Sequence, residues 1–412
     1  HSLNLWLNPQ VPVAEQPENP EQDADGDDQA APADDRDPPN EATADADDAD
    51  AEITDPKDLA MDQGDTDVAA MDSLAEKHFS IGSLDPHSNT RKIVWFTTQG
   101  AAIECIALND RRFTDLDDKS GYLGFMALEV TEPGCRIRVV GAGTPAALAK
   151  PDDASQPVGL QVGDRIIEVN GTRLEDQREL QVLLSGTTPT QSIAVKVRRG
   201  EGDDVKSISY TAVLARRPLE VIRPEPLAPT EAMPRHPLSY LFTLDRLGDG
   251  DKNFDREALH QQNWKPRIVE DAAQPTIEFE YTLSPEQLSS LGIQGPIRIV
   301  KRFSLSTTDD ESKRDYHLDY KVQVFNGSNQ PLEMVYQQDG PTGLPLEGWW
   351  YTYKTHPTKW GTAGVRDIIC KAFETMDENG KYEVDGRHRM YTNPMVVEEF
   401  EEYEEEGSTR LT

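Results

Sequence analysis

The chain is short of cysteine, of basic residues and of long apolar runs, and each shortage removes a class of protein. Cys105, Cys135 and Cys370 are its three cysteines; they stand far apart in 412 residues and form no Cys-x-x-Cys pair. A disulfide-built scaffold and a zinc ribbon are thereby excluded, while the redox compartment stays open. Cys105 alternates with Ile103 and Ala107 and reads as a small buried residue of a strand. No run of about 20 apolar residues occurs, which predicts no membrane-crossing helix within the chain.

Basic residues are outnumbered, 41 Lys and Arg against 75 Asp and Glu, giving a net charge of −34. The imbalance is local. Before Glu76 lie 22 acidic and two basic residues, so −20 of the charge sits there and −14 on the rest. A segment so acidic and so poor in aromatics cannot bury a core, and like charges extend it. It reads as a disordered tether over 1–77, with an acidic binding tail as the alternative. The mild acidity of the remainder argues against nucleic acid as a partner. Leu3-Asn4-Leu5-Trp6-Leu7 is apolar with one interfacial aromatic, and reads either as the last turns of a membrane helix or as an ordinary terminus.

Catalytic signatures are missing as well. There is no His-Glu-x-x-His, no Gly-x-Ser-x-Gly, no P-loop and no Gly-x-Gly-x-x-Gly behind a strand. The histidines are scattered without metal-ligand spacing, among them His236, His260, His317, His356 and His388. Asp245–Asn253 and Asp377–Gly380 hint at calcium loops, but neither alternates oxygen ligands up to a closing Glu. No cofactor or metal is expected.

What is present is organised strand pattern, with a distinct module inside it. Gly121-Tyr122-Leu123-Gly124-Phe125 is followed by Gly143-Thr144-Pro145-Ala146-Ala147 and by Gly159-Leu160-Gln161-Val162-Gly163-Asp164-Arg165-Ile166-Ile167-Glu168-Val169-Asn170-Gly171. An amphipathic helix near Asp176–Leu184 and the strand Ser192–Arg198 complete it. In order and spacing this resembles a PDZ domain of the bacterial, protease-associated type, placed at 119–217. The resemblance implies carboxylate capture by successive backbone amides of Tyr122-Leu123-Gly124-Phe125, with Gly124 leaving room for the ligand. Met126-Ala127-Leu128-Glu129 would offer the strand edge. On the helix, Leu180 and Leu183 fit a core face, and Gln177, Gln181 and Leu184 fit a groove face at i, i+4 and i+7. The implied ligand is a peptide C-terminus or extended segment with an apolar last residue. A PDZ fold with a disused groove is the alternative. Gly163-Asp164 and Asn170-Gly171 read as structural turns.

Around the module run alternating segments: Phe79–Leu84, Ile93–Thr98, Ala101–Leu108, Leu219–Ile222, Ser239–Leu244, Ile277–Tyr281, Ile297–Phe303 and Tyr316–Phe325. Asn326-Gly327-Ser328-Asn329 then reads as a turn into Leu332–Tyr336, a second hairpin arm. A mostly-β domain, split into 78–118 and 218–412, follows from this pattern.

The flanking segments carry a second resemblance. Phe79-Ser80-Ile81-Gly82, Ile93–Thr98, Gly100-Ala101-Ala102-Ile103-Glu104-Cys105-Ile106-Ala107-Leu108, Arg112–Leu116, Ile299–Leu305, Tyr316–Gly327, Pro331-Leu332-Glu333, Asp339–Pro345 and Glu347–Tyr351 follow one another as in the periplasmic domain of YidC-family membrane protein insertases. The match is to the planctomycete-type variant, in which a PDZ domain interrupts the first sheet. It implies a β-supersandwich similar to that of aldose mutarotases, on the periplasmic side of the inner membrane, anchored by helices outside this chain and ending before the domain's last strands. Sec translocon components and nascent membrane or envelope proteins are the implied partners. The expected role is a non-catalytic docking scaffold with a peptide-binding groove. Rival readings are the regulatory module of an envelope protease and a carbohydrate-active domain, for which Glu347, Trp349, Trp350 and His356 would line a sugar cleft.

Overall fold

The computed structural model describes residues 75–115, 118–131, 133–223, 238–248, 258–270, 272–310 and 315–342, together with the backbone of two later strands. The expected tether over residues 1–74, the Leu3–Leu7 stub and the sugar-cleft set Glu347, Trp349, Trp350 and His356 lie outside the described residues.

The described chain is mainly β, with several sheets. It opens with β1 (His78–Gly82), β2 (Lys92–Thr97) and β3 (Ala102–Leu108). An inserted domain follows: β4 (Gly121–Tyr122), β5 (Glu129–Val130), β6 (Cys135–Arg136), β7 (Lys150–Pro151), β8 (Arg165–Val169), β9 (Thr172–Arg173), α1 (Gln177–Ser185), β10 (Ser192–Arg199), β11 (Lys206–Val213) and β12 (Ala215–Arg216). The host domain then resumes with β13 (Glu220–Ile222), β14 (Phe242–Leu247), α2 (Ala258–Gln261), β15 (Lys265–Ile268), β16 (Thr276–Thr282), α3 (Pro285–Ser290), β17 (Ile297–Leu305), β18 (Leu318–Asn326) and β19 (Met334–Gln338). The backbone strands β20 (Ile368–Met376) and β21 (Tyr382–Tyr391) pair with each other.

One antiparallel sheet runs β1-β2-β3-β13 and a second runs β15-β16-β17-β18, with β14 and β19 paired separately. Val94, Phe96 and Ile106 of the first sheet share a core with Ile277, Phe279, Ile299 and Phe303 of the second. The strand pattern read around the module thus builds a sandwich. Because β3 and β13 are hydrogen-bonded neighbours, the inserted domain occupies what would otherwise be a hairpin loop. Its stem is a ribbon: the Leu108 N–H donates to Leu219 O at 3.0 Å, Leu219 N–H to Phe113 O at 3.1 Å, and Asp115 N–H to Arg217 O at 3.1 Å.

Every residue of β2 is buried, which alternation alone does not permit for a sheet with one wet face. The reason is a second core on the outer face. Ile93, Trp95, Cys105 and Ala107 pack there with Val139, and Phe125 and Ala127 of the inserted domain close over them. Gly141 allows the approach, since a Cβ on it would lie 2.8 Å from both Ile93 Cδ1 and the Trp95 ring. A bulge separates the two faces: Trp95 pairs with Cys105 but Phe96 with Ile103, so Glu104 is the extra residue. Ile103 therefore joins the sandwich core, opposite Cys105 and Ala107, and not beside them as plain alternation predicts.

The second arm expected at Leu332–Tyr336 does not fold back on β18. β18 pairs with β17 along nine positions, from Ile297↔Asn326 to Leu305↔Leu318, while β19 pairs with β14. Gly327 donates to Pro296 O at 2.9 Å and Asn326 Nδ2 to Gln330 O at 2.9 Å, so the turn leads the chain away from β18. Phe242 stacking on Tyr336, with centroids 5.3 Å apart, then secures the other pairing.

Lys301, fully buried on β17, ties the layers together. Its Nζ donates to the carbonyls of Gly100 (2.8 Å), Tyr240 (2.8 Å) and Ala101 (3.3 Å) and lies 5.1 Å from the Trp264 ring centroid. Burial pushes its pKa down from 10.5 to about 7, with Asp339 pulling the other way. Between those values the unfolded chain holds a proton that the folded one releases, so this group's contribution to stability rises with pH from about 7 to 10.5 and is flat below 7. Lys301→Met is expected to destabilise by about 2–4 kcal/mol, because three carbonyls lose their donor. In urea melts the wild type should gain on the variant as pH goes from 7 to 10. Parallel pH profiles for the two proteins would rule this out.

Candidate functional site

The inserted domain folds around its own core. Ile166 and Val169 of β8, Ile193, Val195 and Val197 of β10, and Ile208, Tyr210 and Ala212 of β11 face inward at period two. Asp164, wholly buried, is gripped by Arg199 at 2.6 and 2.7 Å, and Arg199 also donates to the Tyr210 hydroxyl at 2.9 Å. The Gly163-Asp164 turn is thus a structural clasp, not a ligand site. Asn170 and Gly171 make the β8–β9 turn at φ 50° and 80°, and Asn170 Oδ1 accepts the Ala194 N–H at 2.9 Å.

Asp176 caps α1 by accepting the Glu179 N–H, and the helix lays Leu180 into the core with Leu183 and Leu184 packed beside it. Gln177 and Gln181 are exposed. At the helix end Thr187 Oγ1 donates to Leu184 O at 2.6 Å and accepts the Gly121 N–H at 3.2 Å. That hydroxyl fastens α1 to β4, the start of the loop across the groove.

In this loop Tyr122, Leu123 and Met126 are buried, and Gly124, Phe125, Ala127 and Leu128 are half-buried. Leu123, Met126, Leu128 and Leu184 all pack on the inserted domain's core. Phe125 does not join them: its ring meets Trp95 of the host sheet edge-on, centroids 5.5 Å apart. The Phe125 N–H, one of the amides predicted to grip a carboxylate, donates to the Tyr122 hydroxyl at 3.1 Å. Gly124 has φ 130°, and a Cβ on it would lie 3.0 Å from Thr144 Cβ, so the fold itself demands glycine there.

An ionic seam lies behind the loop. The Arg217 guanidinium sits 5.1 Å from the Tyr122 ring centroid and pairs with Asp118 at 2.9 Å and with Glu220 of β13 at 3.1 Å. Arg223 pairs with Asp115 at 2.9 Å and with Glu220 at 3.5 Å. Burial raises the pKa of Glu220, against the pull of both arginines, and raises that of the Tyr122 phenol well above its usual value. Tyr122 is therefore a neutral hydroxyl.

Sequence reasoning identified the loop and the helix faces but passed over Thr144, Thr187 and Arg217. Thr144 lies within the Gly143–Ala147 segment, Arg217 at the domain end and Thr187 between the helix and the next strand, and no local pattern marks the role of any of them. Their roles arise from contacts distant in sequence, 20 residues for Gly124 with Thr144, 66 for Gly121 with Thr187 and 95 for Tyr122 with Arg217.

Chemistry elsewhere is sparse. Burial drives the Cys135 thiol up to about 11 and that of Cys105 well above its usual value, so neither is a thiolate nucleophile. His317 pairs with Asp315 at the surface, and His78 meets Glu104 at 2.8 Å. Among the described residues no three His, Cys, Asp or Glu side chains converge as metal ligands, and no helix is long and apolar enough to cross a membrane.

A family model for the PDZ domain matches residues 121–209, from β4 into β11. The inserted domain is a PDZ domain. No curated protein matches the chain.

Gly124→Ala is expected to cost about 1–3 kcal/mol with no ligand present, since both φ and Thr144 oppose a side chain. A thermal melt of the full chain checks this. An unshifted midpoint would mean that the loop relaxes freely.

Proposed function

We propose that this chain is a peptide-binding scaffold from the extracytoplasmic side of a membrane protein insertase. The binding half of the reading rests on the PDZ domain itself, a module that takes peptide segments by strand addition. The observation that carries it is the helix α1, which turns Gln177 and Gln181 to solvent while Leu184 shares a core with Leu128 of the loop. The strand edge expected over Met126–Glu129 is extended chain without strand pairing up to Leu128 and becomes β5 only at Glu129. An extended peptide laid there would add its backbone to the 124–130 segment, with Leu128 and Leu184 supplying an apolar floor and the two carboxamides reading polar groups.

The insertase half rests on the order of the flanking segments and their resemblance to the YidC family. In the described structure these segments supply β1, β2, β3, β17 and β18 of one sandwich, interrupted between two paired strands of its first sheet. In this reading the sandwich docks translocon components of the Sec system, and the groove holds exposed stretches of nascent membrane or envelope proteins at the periplasmic face of the inner membrane. The chain performs no chemistry of its own.

A photo-crosslinker placed at Gln181 in the full-length protein, in its native membrane, tests the reading. Adducts to newly made membrane proteins and to translocon subunits are the expected result. Adducts confined to the subunits of an envelope protease, with a protease motif in the adjoining reading frame, would transfer the chain to that system. Adjoining sequence with several membrane helices after Thr412 agrees with the insertase reading.

A further inference from the structure

Capture of a peptide C-terminus needs backbone N–H groups that are vacant and convergent, because a carboxylate leaving water must recover its hydrogen bonds. The loop of this domain is differently arranged. The Phe125 N–H is held by the Tyr122 hydroxyl at 3.1 Å, and Tyr122, 4% exposed, has little room to withdraw. Its ring is pinned beneath Arg217, whose charge is committed to Asp118 and Glu220. On the Gly124 side the space is filled by Thr144, itself fully buried and fixed by bonds to Gly141 O (2.7 Å) and from the Ala147 N–H (3.2 Å). The Phe125 side chain, which could floor a pocket for a last apolar residue, is turned onto Trp95 instead.

What stays available suits a different ligand. The Met126 carbonyl serves Arg138 and Val139 at 3.1 and 3.2 Å, which leaves the opposite edge of the segment as the one a peptide strand would join. Across from it, exposed Gln177 and Gln181 offer neutral donors and acceptors. An internal segment brings no terminal charge to desolvate and needs no amide nest.

We propose that the groove takes internal extended segments of its clients rather than free C-termini, with the Tyr122 hydroxyl occupying the position of the terminal carboxylate. The proposal rests on the peptide-binding reading above and specifies its substrate class. Random heptapeptides are presented to the full-length chain in two formats, one with a free C-terminus and one embedded between flanking residues. The expected result is binders from the embedded format, whose synthetic acid and amide forms bind within about threefold of each other. Binders from the free-terminus format alone, losing about tenfold or more on amidation, would overturn the internal-segment proposal and leave peptide binding intact. Binders from neither format would overturn both. Tyr122→Phe keeps the ring under Arg217 and releases the Phe125 N–H. It should raise affinity for the acid over the amide form by about tenfold. Unchanged acid-to-amide ratios in that variant would show that the hydroxyl is not the obstacle and would overturn the assignment.

Discussion

The structure depends on one sheet being dry on both faces. Ile93-Val94-Trp95-Phe96 presents apolar side chains in both directions, and each set needs a cover. Val94 and Phe96 find it in the opposing sheet; Ile93 and Trp95 find it in the PDZ domain, through Val139, Phe125 and Ala127. Burial of apolar surface at about 25 cal/mol per Å² makes leaving a tryptophan face in water costly, so the PDZ domain is a structural layer of the host and not a loosely hung module. The bulge at Glu104 is what lets β3 serve both cores, by moving Ile103 to the sandwich side while Cys105 stays on the other.

Lys301 performs the corresponding task inside the sandwich. It gathers the carbonyls of Gly100, Ala101 and Tyr240, whose φ values of 63°, 48° and 63° all lie in the left-handed region. Such backbone is held only where its surroundings over-determine it. One buried amino group therefore fixes the β2–β3 connection, the entry to β14 and β17 at once. Lys92, equally buried and hydrogen-bonded to Ser306 at 2.9 Å, joins β2 to the end of β17 in the same manner.

The two-faced sheet also shapes the groove. Phe125 packs edge-on against Trp95 while its amide donates to the Tyr122 hydroxyl, so the loop is tied at once to the host sheet and to the Tyr122 side chain. Arg217 and Glu220 then link that ring to β13 of the host sheet. Docking of the PDZ domain and the conformation of its loop are thus one set of contacts, and a change in the seam reaches the loop through Tyr122.

Much of this was legible in the sequence. Periodicity placed β1 to β3, β10 and β16 to β18 close to their observed limits, because period-two burial is a local property written residue by residue, whereas the strand expected over Met126–Glu129 starts only at Glu129. The spacing of Leu180, Gln177 and Gln181 likewise set the faces of α1, since 3.6 residues per turn is local geometry. The partner of β19, the face of Ile103, the burial of two lysines and the rotation of Phe125 were not legible. Each is settled by residues distant in sequence: β14 for β19, Trp95 for Phe125, Gly100 and Tyr240 for Lys301. The sequence by itself determined the main strands of the host sandwich, that a PDZ domain interrupts them, and which side of its helix is polar. Only the tertiary structure decided that the sheet has two buried faces and that the loop closes on its own tyrosine, because packing between distant segments leaves no period in the chain.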